Sequence, residues 1–350
     1  MNTATQWLGR GERAPDFVLP IQNGTPTRFY SRAGGSATVL LFCDADDTLL
    51  RFAEALGDCA SGAVSVFAVK RAGAGLQVVA GEEVPFPVFS DTEGRVRAAY
   101  RLGDDGETVL FVFDPNLRAL GALVLKDARA AAQETVALLD ASLPRVAPLE
   151  IVTQAPVLLI PNVLDEEVCE FLMGVWENQG NVETGVEQSR GDRRVDTVDD
   201  ENKRRRDHVV TEEKLMKLLS LTIGRRVMPE VYRAFAFRAT RFEGFKIACY
   251  DAATGGFFHA HRDNLSPSTA HRRFALTLNL NAGYGGGYLR FPEYGPHLYR
   301  PEAGGAILFS SSHLHEVTEV TEGRRFALLS FLFGEGDVRT SREAPGRGDA

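Results

Sequence analysis

The stretch "PRVAPLEIVTQAP" at 144–156 holds three prolines and almost no periodicity, and the texture of the chain differs on its two sides. Proline fixes φ and removes a backbone donor, so such a stretch does not run through a helix or a sheet interior. It reads as a connection between domains. At 350 residues the chain is long enough for two domains, given about 100–200 residues for each. Two separate cores are therefore expected.

Upstream, residues 36–42 ("SATVLLF"), 63–69 ("AVSVFAV") and 108–113 ("TVLFVF") are short β-branched and aromatic runs that predict buried strands. Helix-compatible segments, "TLLRFAEALGDCA" and "GRVRAAYRLG", lie between them, and "DARAAAQETVALLDASL" predicts a further helix ending near Leu143. Strands alternating with helices predict an α/β layer over residues 1–145. A linker is expected at 146–154.

Downstream, Asp165 stands where a helix N-cap belongs, and Val168, Phe171, Leu172 and Val175 recur at the spacing of one helical face. A second helix is expected from Thr211 through "TEEKLMKLLSLTIGRR". The polar segment between the two, "NVETGVEQSRGDRRVDTVDDENKRRRDH", has no apolar period and reads as a loop. From Phe235 onward short alternating runs take over: "RFEGFKIACY", "RFALTLNLN", "GYLRF", "GAILFS", "HEVTEV" and "RRFALLSFLF". Such strands between glycine-rich turns predict a sandwich or jelly roll over residues 155–335. Residues 336–350 are expected to be a frayed tail.

Composition excludes several classes. Hydrophobic residues at 44% and charged residues at 25% fit a globular protein. A formal net charge of -8 argues against a nucleic-acid polyanion as the main ligand. There is no apolar run long enough to span a membrane, and "MNTATQWLGRGERAPDF" lacks the apolar segment of a secretory signal, so a cytoplasmic protein without a membrane partner is expected. Cys43, Cys59, Cys169 and Cys249 form no CxxC pair and read as reduced, mostly buried thiols. The basic run "KRRRD" at 203–207 follows the acidic "DTVDDEN" and reads as a solvated loop. A second reading is a substrate lid that Arg190, Arg193 or Arg194 helps to order.

Six of the seven histidines fall between residues 259 and 315. In an extended segment residues two apart share a face, so His261 and Asp263 can aim at one point while Arg262 turns away. His315, 52 positions after Asp263, lies in strand-like alternation and offers a third ligand. Two histidines and a carboxylate on one face of an octahedron leave three positions open, the arrangement of non-haem Fe(II) oxygenases. Zinc would more often close a tetrahedron. An HxD pair alone is weak evidence, and polar punctuation at a strand end remains the alternative. Ten positions beyond His315, Arg325 offers a planar guanidinium that can grip a carboxylate through two hydrogen bonds.

With these pieces in order, the stretch from Tyr250 to Phe333 resembles the prolyl-4-hydroxylase-like branch of the 2-oxoglutarate/Fe(II) dioxygenases. Tyr250 and Gly255 precede His261-x-Asp263; Arg273 and Thr277 follow in "RRFALTLNLN"; Gly286-Gly287 precede "YLRFP", Gly305 precedes Phe309, and "HEVTEVTEGRR" closes the set. The resemblance covers roughly residues 155–335 and implies a double-stranded β-helix with flanking helices. It implies that His261, Asp263 and His315 bind Fe(II), that Arg325 holds the far carboxylate of 2-oxoglutarate, and that Tyr250 and Thr277 position this cosubstrate. It further implies O2 as second cosubstrate, ascorbate as a reductant, and hydroxylation of a prolyl or other amino-acid, peptide or small-molecule substrate with release of succinate and CO2. Arg324 competes with Arg325 at one position less, but alternation turns only one of the two inward. His313 competes with His315, but its own tenth residue is Gly323, which cannot hold a carboxylate. His259 is read as a supporting or surface residue.

The first domain resembles the thioredoxin-fold peroxiredoxins through "GERAPDFVLP", "PFPVFSDTEGRVRAAYRL" and "VLFVFDPNLRALGAL". On that pattern Thr48 matches the family's threonine, while Arg51 stands in the place of the peroxidatic cysteine and Asp44 in that of the proline. Thr108 lies near the position of the family's late arginine. A degenerate fold used for packing, homodimerisation or partner docking is therefore expected, without peroxidase activity. The competing functions are a thiol redox protein working through Cys43 or Cys59, and a non-catalytic binding module.

Overall fold

The computed structural model describes residues 7–60, 62–71, 84–103, 106–143, 147–184, 186–190, 193–197 and 201–338, with backbone alone at 186–190 and 193–197. The chain divides into two compact units, Met1–Pro148 and Leu149–Ala350.

In the first unit β1 (Ala37–Phe42) leads through α1 (Asp46–Cys59) to β2 (Val64–Lys70) and β3 (Val88–Ser90). The chain then passes α2 (Arg95–Ala99), β4 (Val109–Phe113), β5 (Ala119–Val124) and α3 (Ala128–Ser142). The sheet order is β3-β2-β1-β4-β5, parallel among the first three and antiparallel across the last two junctions. This is the α/β layer that the alternation predicts, in the thioredoxin-like arrangement that the peroxiredoxin resemblance implies. The strands show no polar alternation because helices or loops cover both faces. On β4, Leu110 and Val112 pack with Leu49, Phe52 and Leu139, whereas Phe111 and Phe113 pack with Phe42 and Tyr100. The side chain of Asp127 caps α3 by accepting from the Ala130 amide at 2.8 Å.

The second unit opens with β6 (Leu158–Ile160), α4 (Glu166–Asn178), β7 (Val182–Glu183), β8 (Lys203–Arg204), β9 (Arg206–Val209) and α5 (Glu213–Phe235). There follow β10 (Lys246–Asp251), β11 (Phe257–His261), β12 (Phe274–Asn279), β13 (Leu289–Arg290), β14 (Leu298–Tyr299), β15 (Ala306–Ser310), β16 (His315–Val317) and β17 (Arg324–Phe333). Two antiparallel sheets result, β6-β15-β12-β17-β10-β9-β7 and β8-β11-β16-β13-β14. Along the large sheet the side chains alternate as a strand requires. Ile247, Cys249, Leu276, Leu278, Leu308 and Leu328 pack beneath the helices with Leu172, Leu219, Ile223 and Val227. Tyr250, Ala275, Ile307 and Phe309 turn the other way and meet Leu289 and Val317 of the small sheet. This is a jelly roll with flanking helices, the fold class expected.

Four local expectations need correction. Asp165 does occupy the N-cap position of α4, yet its side chain makes no capping bond and instead lies 3.3 Å from the Arg226 guanidinium. The buried face of α4 is Cys169, Leu172, Val175 and Trp176, while Phe171 is exposed. Helix α5 continues through Pro229 to Phe235 because Val227 and Val231 extend its buried face past the proline. The polar segment after α4 is not a plain loop, since β7, β8 and β9 pair into both sheets and residues 186–190 and 193–197 form a hairpin. Period-two pairing within a charged segment carries no hydrophobic signal, so an apolar criterion misses it. The side chains of Arg190, Arg193 and Arg194, and the tail beyond residue 338, lie outside the described residues.

Candidate metal centre and cavity

Strands β11 and β16 pair antiparallel in the small sheet with His261 directly opposite His315. Two residues past His261, the Asp263 amide donates to the Ser311 carbonyl at 3.0 Å, which turns the chain so that its carboxylate faces both imidazoles. His261 Nε2 lies 3.6 Å from Asp263 Oδ1, and His315 Nε2 lies 3.4 Å from Asp263 Oδ2. One ligand atom from each of the three falls within 4.8 Å of the others.

The tautomers follow from backbone contacts. His261 Nδ1 is 2.8 Å from the carbonyl oxygen of His259, and His315 Nδ1 is 3.0 Å from that of His313. A carbonyl only accepts, so both Nδ1 atoms carry the proton and both Nε2 lone pairs face the centre. The repeated H-x-H pattern thus supports the ligands through the main chain of its first histidine, while the side chain of His259 is exposed. Burial pushes the pKa of His315 down to about 4, leaving a neutral imidazole near pH 7. Burial also opposes the charge of Asp263, but His315, His261 and Arg272 around it keep its pKa below the usual carboxylate value. An ionised carboxylate and imidazole lone pairs are the protonation states a divalent cation needs. Arg262 turns away, as alternation predicts, and pairs with Glu293 at 2.6 Å.

A cavity of about 920 Å³ opens beside this cluster, and Tyr250, Thr277, Phe309 and Leu289 are among its lining residues. Tyr250 on β10 faces Arg325 on β17 across the register. The Arg325 guanidinium lies 5.2 Å from the Tyr250 ring centroid and is 3% exposed. Its Nε has no hydrogen-bond partner, and no ion pair among the described residues holds the group. A buried charge left in this state is costly unless an anion meets it. Gly287 makes room for it, since a Cβ there would come within 2.9 Å of Arg325 Cδ. The neighbouring Arg324 is exposed on the opposite strand face and pairs with Glu177 at 2.9 Å. Thr277 on β12 is buried on the inner face.

Residues that the sequence analysis missed complete the wall. Lys203, Arg205 and Asp207 point inward from the "KRRRD" run, while Arg204 and Arg206 are exposed. Arg205 Nε and Nη2 donate to the two oxygens of Asp207 at 2.7 Å each, and Nη1 donates to the Tyr250 hydroxyl at 3.2 Å. Lys203 Nζ donates to Thr184 Oγ1 at 2.8 Å, and that hydroxyl donates to Asp207 at 2.6 Å.

In the first unit Cys43 is buried, and burial raises its pKa, with Asp44 adding to the effect. Arg51 sits exposed in the second turn of α1 and pairs with Asp47 at 3.0 Å. Thr108 Oγ1 approaches Cys43 Sγ at 3.8 Å. Cys59 is the last residue of α1, and all four cysteines are free.

Known proteins bear on both units. Residues 245–333 match the model of the 2OG-Fe(II) oxygenase superfamily, and residues 10–119 match that of the AhpC/TSA family. The second unit is thus similar to the 2OG-Fe(II) oxygenases over residues 245–333. Among similar proteins, a PKHD-type hydroxylase of Psychrobacter sp. (strain PRwf-1) is 29% identical over 115 residues, 33% of this chain and 41% of that protein. Another, from Caulobacter sp. (strain K31), is 41% identical over 81 residues, 22% of this chain and 35% of that protein. The chain thus spans less than half the length of these curated relatives. A solved prolyl hydroxylase from Trichoplax adhaerens, in complex with a hypoxia inducible factor peptide fragment, is 19% identical, covering 54% of this chain and 89% of that one with a TM-score of 0.44. The oxygenase superfamily implies Fe(II), 2-oxoglutarate and O2, and the donor set of His261, Asp263 and His315 fits such an ion. No helix among the described residues is long and apolar enough to cross a membrane.

Proposed function

We propose that this protein is a 2-oxoglutarate- and O2-dependent Fe(II) dioxygenase that hydroxylates an unactivated C–H bond of a prolyl or other amino-acid or peptide-type substrate. The observation that carries the reading is the convergence of two imidazole lone pairs and one carboxylate beside a cavity whose wall includes Tyr250, next to a buried, unpaired Arg325. His261, Asp263 and His315 hold the metal. Arg325 grips the far carboxylate of 2-oxoglutarate, with Tyr250 and Thr277 positioning it. With iron, 2-oxoglutarate and O2 bound, the centre supplies an oxidant able to hydroxylate a C–H bond, releasing succinate and CO2, and ascorbate serves as the reductant that keeps the metal ferrous.

The chain's own contribution is orientation and exclusion of water. The carbonyls of His259 and His313 fix the rings, so that no proton has to leave Nε2 before a metal binds. Phe258 stacks on His261 at 3.6 Å between ring centroids, and Phe309 lies 4.6 Å from the His315 ring, which keeps both imidazoles in a largely apolar setting. Arg325 supplies a fixed positive charge in a place where water does not screen it. The first unit serves packing, homodimerisation or docking of a partner, and the protein acts without nucleic acid or membrane.

The test uses the full chain loaded with Fe(II), supplied with 2-oxoglutarate, O2 and a panel of prolyl and other peptides, with succinate release measured. Peptide-stimulated succinate that disappears in His315→Ala supports the reading. Absence of iron and 2-oxoglutarate binding by the unaltered chain would remove it.

A further inference from the structure

We propose that Arg205 is a positioning residue of the cosubstrate site, acting through Tyr250 to turn the phenol proton toward the bound carboxylate. The inference rests on the 2-oxoglutarate reading given above.

The geometry restricts Arg205 to one pose. Two of its donors close on the two oxygens of Asp207, and Asp207 is 1% exposed. Asp207 Oδ2 accepts a second bond from Thr184, whose hydroxyl in turn accepts from Lys203. Swinging Arg205 away would strand a buried carboxylate, so the fork stays shut. The nitrogen left over, Nη1, donates to the Tyr250 hydroxyl.

A phenol has one proton to give. Because its oxygen accepts from Arg205, the hydroxyl is turned so that its own proton points elsewhere, and no acceptor for that proton exists among the described residues. Accepting from a cation also makes the hydroxyl a stronger donor. Two guanidinium groups lie over the Tyr250 ring, Arg205 at 5.7 Å and Arg325 at 5.2 Å from its centroid. An anion gripped by Arg325 therefore meets a proton that Arg205 has oriented. The same guanidinium lies 5.8 Å from the ring of Phe258, which stacks on His261. One charged strap thus braces a cosubstrate contact and the stacking partner of a ligand.

The experiment is a double-mutant cycle read as 2-oxoglutarate affinity, by titration calorimetry on the full chain loaded with Zn(II) in place of iron. Arg205→Met is combined with Asp207→Asn, so that no lone buried carboxylate remains. The expected result is a roughly tenfold loss for Tyr250→Phe, the scale of one hydrogen bond to an ion, and a similar loss for the Arg205 pair. Within the Tyr250→Phe background the Arg205 pair should cause no further loss, because its effect runs through the missing hydroxyl. Should the pair fail to fold, Arg205→Lys replaces it, with a smaller loss that likewise vanishes in that background. Losses that multiply in full would mean that Arg205 touches the cosubstrate itself or acts by another route, and would overturn the inference while leaving the 2-oxoglutarate reading intact. If the unaltered chain binds no 2-oxoglutarate, the functional reading falls and this inference with it.

Discussion

Each unit gathers charged groups near the ends of its central strands, and the two treat those charges differently. In the first unit Lys70 closes on Asp46 at 2.7 Å and Arg71 on Asp44 at 2.7 Å, beside a thiol that burial keeps protonated. Positive charge that would stabilise a thiolate is already neutralised by carboxylates. In the second unit Arg325 is buried but has no carboxylate among the described residues, and two imidazoles lie 3.4 and 3.6 Å from one carboxylate beside a cavity. Charges paired within the chain hold a fold together; charges left unpaired at a cavity wall mark where a ligand completes the pairing.

If the open groups of the second unit are what a ligand completes, removing a donor of the triad should have the largest effect. Asp263→Ala or His315→Ala should abolish stoichiometric iron binding, since each leaves only two protein ligands. Metal content after Fe(II) loading and gel filtration measures it. Undiminished iron in His315→Ala would place the metal elsewhere.

Next in size is Arg325→Ala. Breaking a buried, charge-assisted pair costs about 2–5 kcal/mol, so 2-oxoglutarate affinity should fall well over tenfold. Iron affinity should change far less, because in the proposed binding mode the guanidinium contacts only the far end of the cosubstrate. Arg324→Ala is the matched control. Its exposed pair with Glu177 should matter by no more than about 1 kcal/mol to stability and leave cosubstrate affinity unchanged. A severe Arg324 effect with a silent Arg325 would reverse the assignment of the two faces.

The contrast between these two arginines is legible in the sequence. Period-two alternation in "RRFALLSFLF" allows only one of them inward, and the offset from His315 that the dioxygenase resemblance implies selects Arg325. The jelly roll, the α/β layer and the spacing that brings His261, Asp263 and His315 together are legible because apolar alternation, continuous apolar runs and ligand type are all written locally. Arg205 is not. Its inward direction depends on β9 pairing with β10 on one side and β7 on the other, a non-local event in a segment whose residues are all polar. Nothing in the local composition of "KRRRD" separates a solvated run from a strap with alternate charges buried. The continuation of α5 past Pro229 is hidden likewise, since propensity alone stops a helix there and only the packing of Val231 overrides it.

A smaller effect is expected from deleting the first unit. All six candidate site residues lie beyond residue 249, and the second unit has its own core. Residues 149–350 alone should therefore bind iron and 2-oxoglutarate with affinities within about twofold of the full chain, a difference of roughly 0.4 kcal/mol. Loss of cosubstrate binding in a folded fragment would show that the first unit contributes to the site.

The smallest effect should come from Cys43→Ser. A thiolate is the attacking species toward peroxide, and an ordinary cysteine is only a few per cent thiolate at neutral pH. Burial, reinforced by Asp44, places Cys43 below even that fraction. Lys70, whose charge acts to lower that pKa, is itself tied to Asp46. Arg51, at the position the peroxiredoxin pattern gives to the reactive cysteine, is exposed and paired with Asp47, so no second thiol takes over there. The unaltered chain should consume hydrogen peroxide no faster than free cysteine at equal concentration, and Cys43→Ser should not change that rate. Stability should drop slightly, because the replacement hydroxyl loses sulfur packing while it can still use the Ala45 carbonyl as acceptor. Peroxide turnover that vanished with Cys43 would mean that the first unit retains thiol chemistry and that its paired charges do not silence it.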